Sequence, residues 1–206
     1  EEDIMALMEG LMKGLFQSVL GECLEVPFPV LSWHEAIDRF GSDRPDLRIE
    51  GELLNLDECF RGCPCEAFRK TLEEGGVARG LRVPSGASLS RKEMSDLEAR
   101  ARDLGASGLA FFTLREGALK GPLVKYLSGG AQALLVERTG LGEGDALAVA
   151  AGPWKKTCEM LGQLRLELGA RFFPRREGAW HFLWVNGFPL LEWDDEELRW
   201  TAVHHP

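Results

Sequence analysis

Between Glu2 and Leu20, the apolar residues Ile4, Leu7, Met8, Leu11, Met12, Leu15, Phe16 and Val19 recur at steps of three and four. This spacing predicts an amphipathic helix with one buried face, closed by Gly21. Such a helix draws its stability from packing that face rather than from intrinsic propensity, so the chain must place it against a core. With 206 residues, 45% of them hydrophobic, there is material for one large domain or two small ones.

The next stretch, "VPFPVLSW", carries Pro27 and Pro29, which bar helix and favour an extended entry. Ser32 can then cap the short helix "WHEAIDRF", with Glu35 at the capping-box position and Gly41 as its stop. "GSDRPDLR" reads as a polar turn in which Asp43 and Asp46 can bond nearby backbone and Pro45 fixes one dihedral. Beyond it the character changes to a Cys/Gly-rich segment, Cys59 to Gly76, and then to interleaved strand and helix signals. A domain boundary is therefore expected near residue 49.

In that middle block "GLRV" predicts a short strand before Pro84. Ser90 with Glu93 makes a capping box for a helix from Arg91 to Leu104, with Met94, Leu97, Ala101 and Leu104 on its buried stripe. "GLAFFTL" and "DALAVAAG" read as strands and "PLVKYL" as a short apolar run. The pattern is that of an α+β module of about a hundred residues. Pro153 opens a further helix with Leu161, Leu164, Leu166 and Leu168 expected on its apolar side. "HFLWVNGFPLLEW" predicts a strand interrupted at Asn186-Gly187, Asp194 to Glu197 a charged hairpin tip, and "RWTAVHHP" a returning strand.

The net charge of -9 is uneven: residues 1–50 hold 11 acids and 4 bases, residues 51–150 hold 14 and 13. Any nucleic-acid contact must therefore be local. The densest basic run, Arg79, Arg82, Arg91, Lys92, Arg100 and Arg102, reads as a solvated face. Five cysteines without a secretory signal argue for reduced thiols. Cys59, Cys63 and Cys65 lack a fourth ligand at zinc-site spacing, so incidental loop cysteines are expected and no metal. No window of about 18 uninterrupted apolar residues exists, which makes a soluble cytoplasmic protein the expectation. A start on Glu1-Glu2-Asp3 and a stop on His204-His205-Pro206 suggest a stretch interior to a longer protein.

No phosphate-loop, nucleophile-elbow or zincin motif is present. Seven stretches nevertheless stand in a telling order: "PFPVLSWHEAIDRFGSDRPDLR", "RVPSGASLSRKEM", "LGASGLAFFTL", "KGPLVKYL", "LGQLRLELG", "FLWVNGFPLLEW" and "AVHHP". Together they resemble the second half of bacterial-type aspartyl-tRNA synthetase, from Glu1 to Pro206. The resemblance implies an α+β architecture: a GAD-type insertion domain over residues 49–152, flanked at 1–48 and 153–206 by incomplete pieces of a class II antiparallel-sheet catalytic domain. It implies a parent enzyme that activates aspartate with ATP and Mg2+ and passes it to tRNA, homodimeric and not membrane-bound. The anticodon-binding barrel and the three class motifs would lie outside these residues, leaving them without catalytic residues and inactive alone. The alternative is a non-catalytic GAD-type module that binds or scaffolds near tRNA.

The resemblance places His204 and His205 at the aspartate pocket, with His204 as the principal ligand. An imidazole can donate to a carboxylate or, protonated, offset its charge. It sets Ser42, Asp43, Arg44 and Asp46 on a possible active-site wall, and matches Lys120 and Lys125 to the module's "KGP…K" stretch. One departure is Gly187, where the family pattern leads us to expect Asp before Phe188-Pro189.

Overall fold

A computed structural model describes residues 1–174, 180–194 and 197–203, apart from the Asp194 side chain. In chain order the helices are α1 (Glu2–Leu20), α2 (Trp33–Phe40), α3 (Asp57–Phe60), α4 (Glu66–Glu73), α5 (Arg91–Asp103), α6 (Gly129–Thr139) and α7 (Trp154–Phe172). The strands are β1 (Val30–Ser32), β2 (Leu53–Asn55), β3 (Val77–Val83), β4 (Ala110–Arg115), β5 (Ala118–Lys120), β6 (Ala146–Gly152), β7 (Trp184–Asn186), β8 (Leu191–Asp194) and β9 (Arg199–Ala202). The chain divides into two compact units, 1–34 with 177–206, and 35–176.

The larger unit is built on an antiparallel five-stranded sheet in the order β2-β3-β6-β4-β5. Its central strand β6, "ALAVAAG", shows no polar alternation because helices cover both faces of the sheet there. On one face Leu147, Val149 and Phe112 join Phe60 of α3, Phe68 of α4 and Leu135 of α6 in a single core. On the other, α7 packs across β3 and β6. α5 begins as expected: Ser90 Oγ accepts from the Glu93 N–H and Glu93 returns the bond to the Ser90 N–H. This unit spans residues 49–152 together with most of α2, the 41–49 loop and α7.

The smaller unit pairs β1 with β7 in parallel and β8 with β9 as an antiparallel hairpin. Phe16, Leu24 and Phe28 form its core with Met12, Phe182 and Trp184, and Phe28 stacks on Phe182. α1 has the expected length but not the expected burial. The inward face runs through Met5, Glu9, Met12 and Phe16, whereas Ile4, Leu7, Met8, Leu11, Leu15 and Val19 stay exposed. The inward stripe holds an acid for a reason: the Glu9 carboxylate accepts from the Phe28 N–H at 2.9 Å and the Trp184 indole N–H at 2.8 Å.

Other expectations change in smaller ways. The short apolar run "PLVKYL" forms a 3-10 turn at Val124–Tyr126, and Leu166 is exposed while Arg165 takes its place in the buried stripe of α7. Cys59 lies on α3 and Cys63 and Cys65 lie in the α3–α4 loop, but Cys59 and Cys63 are buried in the core; among the described residues no group of three His, Cys, Asp or Glu side chains is arranged to hold a metal. No described helix is long and apolar enough to cross a membrane.

Candidate functional site

The loop that follows α2 is the part of the expected site that the structure describes. Its polar side chains satisfy one another locally. Ser42 Oγ accepts from the Arg44 N–H at 3.1 Å, and Asp46 accepts from the Arg48 backbone N–H, Nε and Nη2 at 3.0, 2.9 and 2.8 Å. Asp46 raises the pKa of the Arg48 guanidinium by hydrogen bond and by charge. Arg44 lies 3.5 Å from Asp43 and is almost wholly exposed. Ser42, Asp43, Arg44 and Asp46 therefore share one turn. His204 and His205 lie outside the described residues.

What fixes that loop in space is a residue the sequence reading passed over. Arg165, 1% exposed, reaches from α7 and donates to three backbone carbonyls: Gly51 through Nε at 2.6 Å, Asp46 through Nη2 at 3.0 Å, and Ile49 through Nη2. Its guanidinium also lies 5.2 Å from the centre of the Phe40 ring, a cation–π contact. Burial lowers its pKa while Asp46 and Glu52 pull the other way. An arginine bonded to three neutral carbonyls keeps the polar backbone of a buried turn satisfied, as such groups must be. The signal was present in "LGQLRLELG": Arg165 sits one turn beyond Leu161 and next to Leu164, inside the apolar stripe.

Beside it the backbones meet without side chains between them. Gly41 has φ +66°, open to glycine at little cost, and a Cβ there would strike the Cys158 carbonyl. A Cβ on Gly162 of α7 would lie 2.6 Å from the Phe40 carbonyl oxygen and 2.9 Å from the Gly41 Cα.

A second cluster ties α2 to the sheet. Asp38 accepts from Arg79 Nη2 and from the Trp154 indole N–H, both at 2.9 Å, while Arg79 Nη1 reaches Asp57 at 3.1 Å. Arg79 is 5% exposed. Its burial disfavours the charge, but Asp38 and Asp57 outweigh that and its pKa is raised. Cys158 lies against the same group, and burial pushes its thiol up to about 12, so it is chemically inert. Of the basic run read from sequence, Arg79 is thus internal, and Arg82, Arg100 and Arg102 pair with Asp145, Glu167 and Glu98. Asp145 is held below the usual carboxylate range: burial would raise it, but the Ser85 and Gly142 N–H groups and Arg82 prevail. Lys120 pairs with Glu116 at 3.0 Å and Lys125 lies over the Tyr126 ring at 4.9 Å. Gly187 takes φ +67° with open space where a Cβ would point.

Comparison with known proteins bears on all of this. Residues 68–161 match the GAD domain family. The whole chain aligns at 40% identity over 210 residues with the aspartate–tRNA(Asp/Asn) ligase of Opitutus terrae, covering 35% of that protein. It aligns at 39% over 207 residues with the aspartate–tRNA ligase of Halalkalibacterium halodurans and at 38% over 205 residues with the aspartate–tRNA(Asp/Asn) ligase of Caldanaerobacter subterraneus, again covering 35% of each. The chain therefore spans about a third of the length of these curated relatives.

Proposed function

We infer that this chain, which carries a GAD domain and is similar along its whole length to aspartate–tRNA ligases, serves as the accessory lobe and part of the catalytic domain of such a ligase. On this reading the parent enzyme joins aspartate to tRNA with ATP and Mg2+. The observation that carries it is the end-to-end similarity: an isolated GAD module would account for residues 68–161 but not for the flanks, which the same alignment also covers. The surface of the smaller unit agrees. Among the described residues every large exposed apolar side chain except Leu166 lies there, including the α1 stripe, Trp193 and Trp200. So much uncovered apolar surface marks an interface. A two-stranded parallel sheet is also too small to stand by itself. Both features fit a piece of a catalytic domain that more of a ligase fold would cover.

His204 and His205 are the aspartate-pocket residues of this proposal. The Ser42–Asp46 turn is held by its own Ser42–Arg44 and Asp46–Arg48 bonds and by Arg165 on the Asp46 carbonyl, and we assign it a bracing role. ATP and Mg2+ need preorganised positive charge and carboxylates around the phosphates. No triad of metal-binding side chains occurs among the described residues, and no catalytic step is assigned to them. The chain alone is expected to be inactive in ATP–pyrophosphate exchange.

The test is a chimera in which this chain replaces the aligned segment of the Opitutus terrae ligase. Aspartylation is expected, with His204→Ala raising the KM for aspartate, and Gly187→Asp tests the missing carboxylate. A folded chimera that is inactive in both the Gly187 and the Gly187→Asp forms refutes the reading.

A further inference from the structure

The larger unit has an open cleft of about 630 Å³ on the α7 side of its sheet, between α5 and the β4–β5 hairpin. The geometry follows from strand alternation. Phe112, Leu114 and Leu119 point into the core on the far side, so Phe111, Thr113, Arg115 and Lys120 belong to the cleft side. α7 covers β3 and β6 but leaves this outer part of the sheet bare. The floor is apolar, formed by Met94 of α5 with Leu109 and Phe111. The rim carries Arg91, Arg115 and Lys120 against the single acid Glu98.

On a chain of net charge -9, three cations to one acid around an apolar floor is a local reversal. Two of the rim charges are only lightly engaged. Lys120 shares a solvent-exposed pair with Glu116, and Arg115 donates to the neutral Ala87 carbonyl, so that these two cations share the one exposed carboxylate of Glu116 between them. Glu98 is already taken by Arg102. The size is that of a pocket accommodating a few side chains.

We propose that this cleft docks an acidic protein segment carrying an apolar anchor residue, its carboxylates meeting Arg91, Arg115 and Lys120 and its anchor resting on the half-buried Met94. A peptide fits better than a nucleic acid. A phosphate backbone has no use for an apolar floor, and single-stranded bases are held by exposed aromatic faces. The one aromatic ring in this cleft, Phe111, is 9% exposed.

The experiment is fluorescence anisotropy on the full chain with three labelled probes: a peptide alternating Asp or Glu with Leu, the same peptide with Lys for every acid, and an oligouridylate. Saturable binding of the acidic peptide alone is expected, weakening as salt rises. The double variant R91E/K120E should weaken it about tenfold, the scale of two reversed rim contacts. Both side chains are exposed, so the thermal midpoint should hold. Met94→Asp, which spares the rim, should weaken it as well. No saturable binding of the acidic peptide, equal binding of the Lys peptide, or tighter binding of the oligouridylate overturns the proposal.

Discussion

Replacing Arg165 by Met removes the fork that holds the carbonyls of Asp46, Ile49 and Gly51 while keeping much of the side-chain volume. Hydrogen bonds to a charged group are each worth about 1.5–3 kcal/mol, and a carbonyl left buried without a partner forfeits its share. Two effects offset this. Burying a guanidinium that faces no carboxylate directly costs several kcal/mol in the wild type, and a loosened loop admits water to some carbonyls. Taking the surviving balance as one to two such bonds gives a net destabilisation of about 3 kcal/mol. For a unit of this size that lowers the thermal midpoint by about 6–12 °C. Circular dichroism melts and urea titration read the global loss, and amide hydrogen exchange over residues 46–51 reads the local one. Arg165→Lys keeps a charge but not the planar fork and should recover less than half of it. If R165M melts within about 1 °C of the wild type with unchanged exchange in the loop, Arg165 behaves as a surface residue and the bracing argument is wrong.

Asp38→Ala strips Arg79 and the Trp154 indole of a shared acceptor and should cost about 2–4 kcal/mol, with red-shifted Trp154 emission as water reaches the ring. Glu93 is drawn from 4.5 to about 2, first by Arg171 and then by Ser90. Because its folded pKa is the lower one, its stabilisation is complete above 4.5 and drains only as pH falls towards about 2. Asp145 acts in the same direction, so Asp145→Asn should flatten the acid limb of a stability-versus-pH curve below about pH 4. Alkylation of the native protein at pH 8 should mark Cys23 and Cys65 long before Cys59, Cys63 or Cys158, as peptide mass spectrometry will show. Leu7→Glu with Leu11→Glu should leave the fold of the chain intact and reduce its aggregation, since both side chains are already exposed. In the ligase chimera the same pair should abolish activity.

Local chemistry was readable wherever it was self-contained. The Ser90–Glu93 box, the glycine stops and the buried run of β6 are decided within a few residues, and each stands as expected. The face that α1 buries was not readable, because two apolar stripes compete on one helix and the choice rests on Glu9 finding Phe28 and Trp184, 19 and 175 residues away. α3, α4 and α6 escaped notice for a related reason: their segments are short or Gly- and Cys-rich, and the shared core of Phe60, Phe68 and Leu135 supplies what their propensity lacks. At the candidate site, resemblance alone pointed to His204, His205 and the Ser42–Asp46 turn. Arg165 was hidden by a rule of thumb that puts charges outside, and only its three distant carbonyl partners explain the exception.

Where Gly41 and Gly162 cross, nothing compressible separates one stretch of main chain from the other. Elsewhere a rotamer can turn aside to absorb a small shift; at this crossing any displacement of α7 passes directly into the turn beginning at Ser42. The pair acts as a hard stop, and even a single added methyl group at either glycine would wedge the two paths apart instead of tuning the space between them.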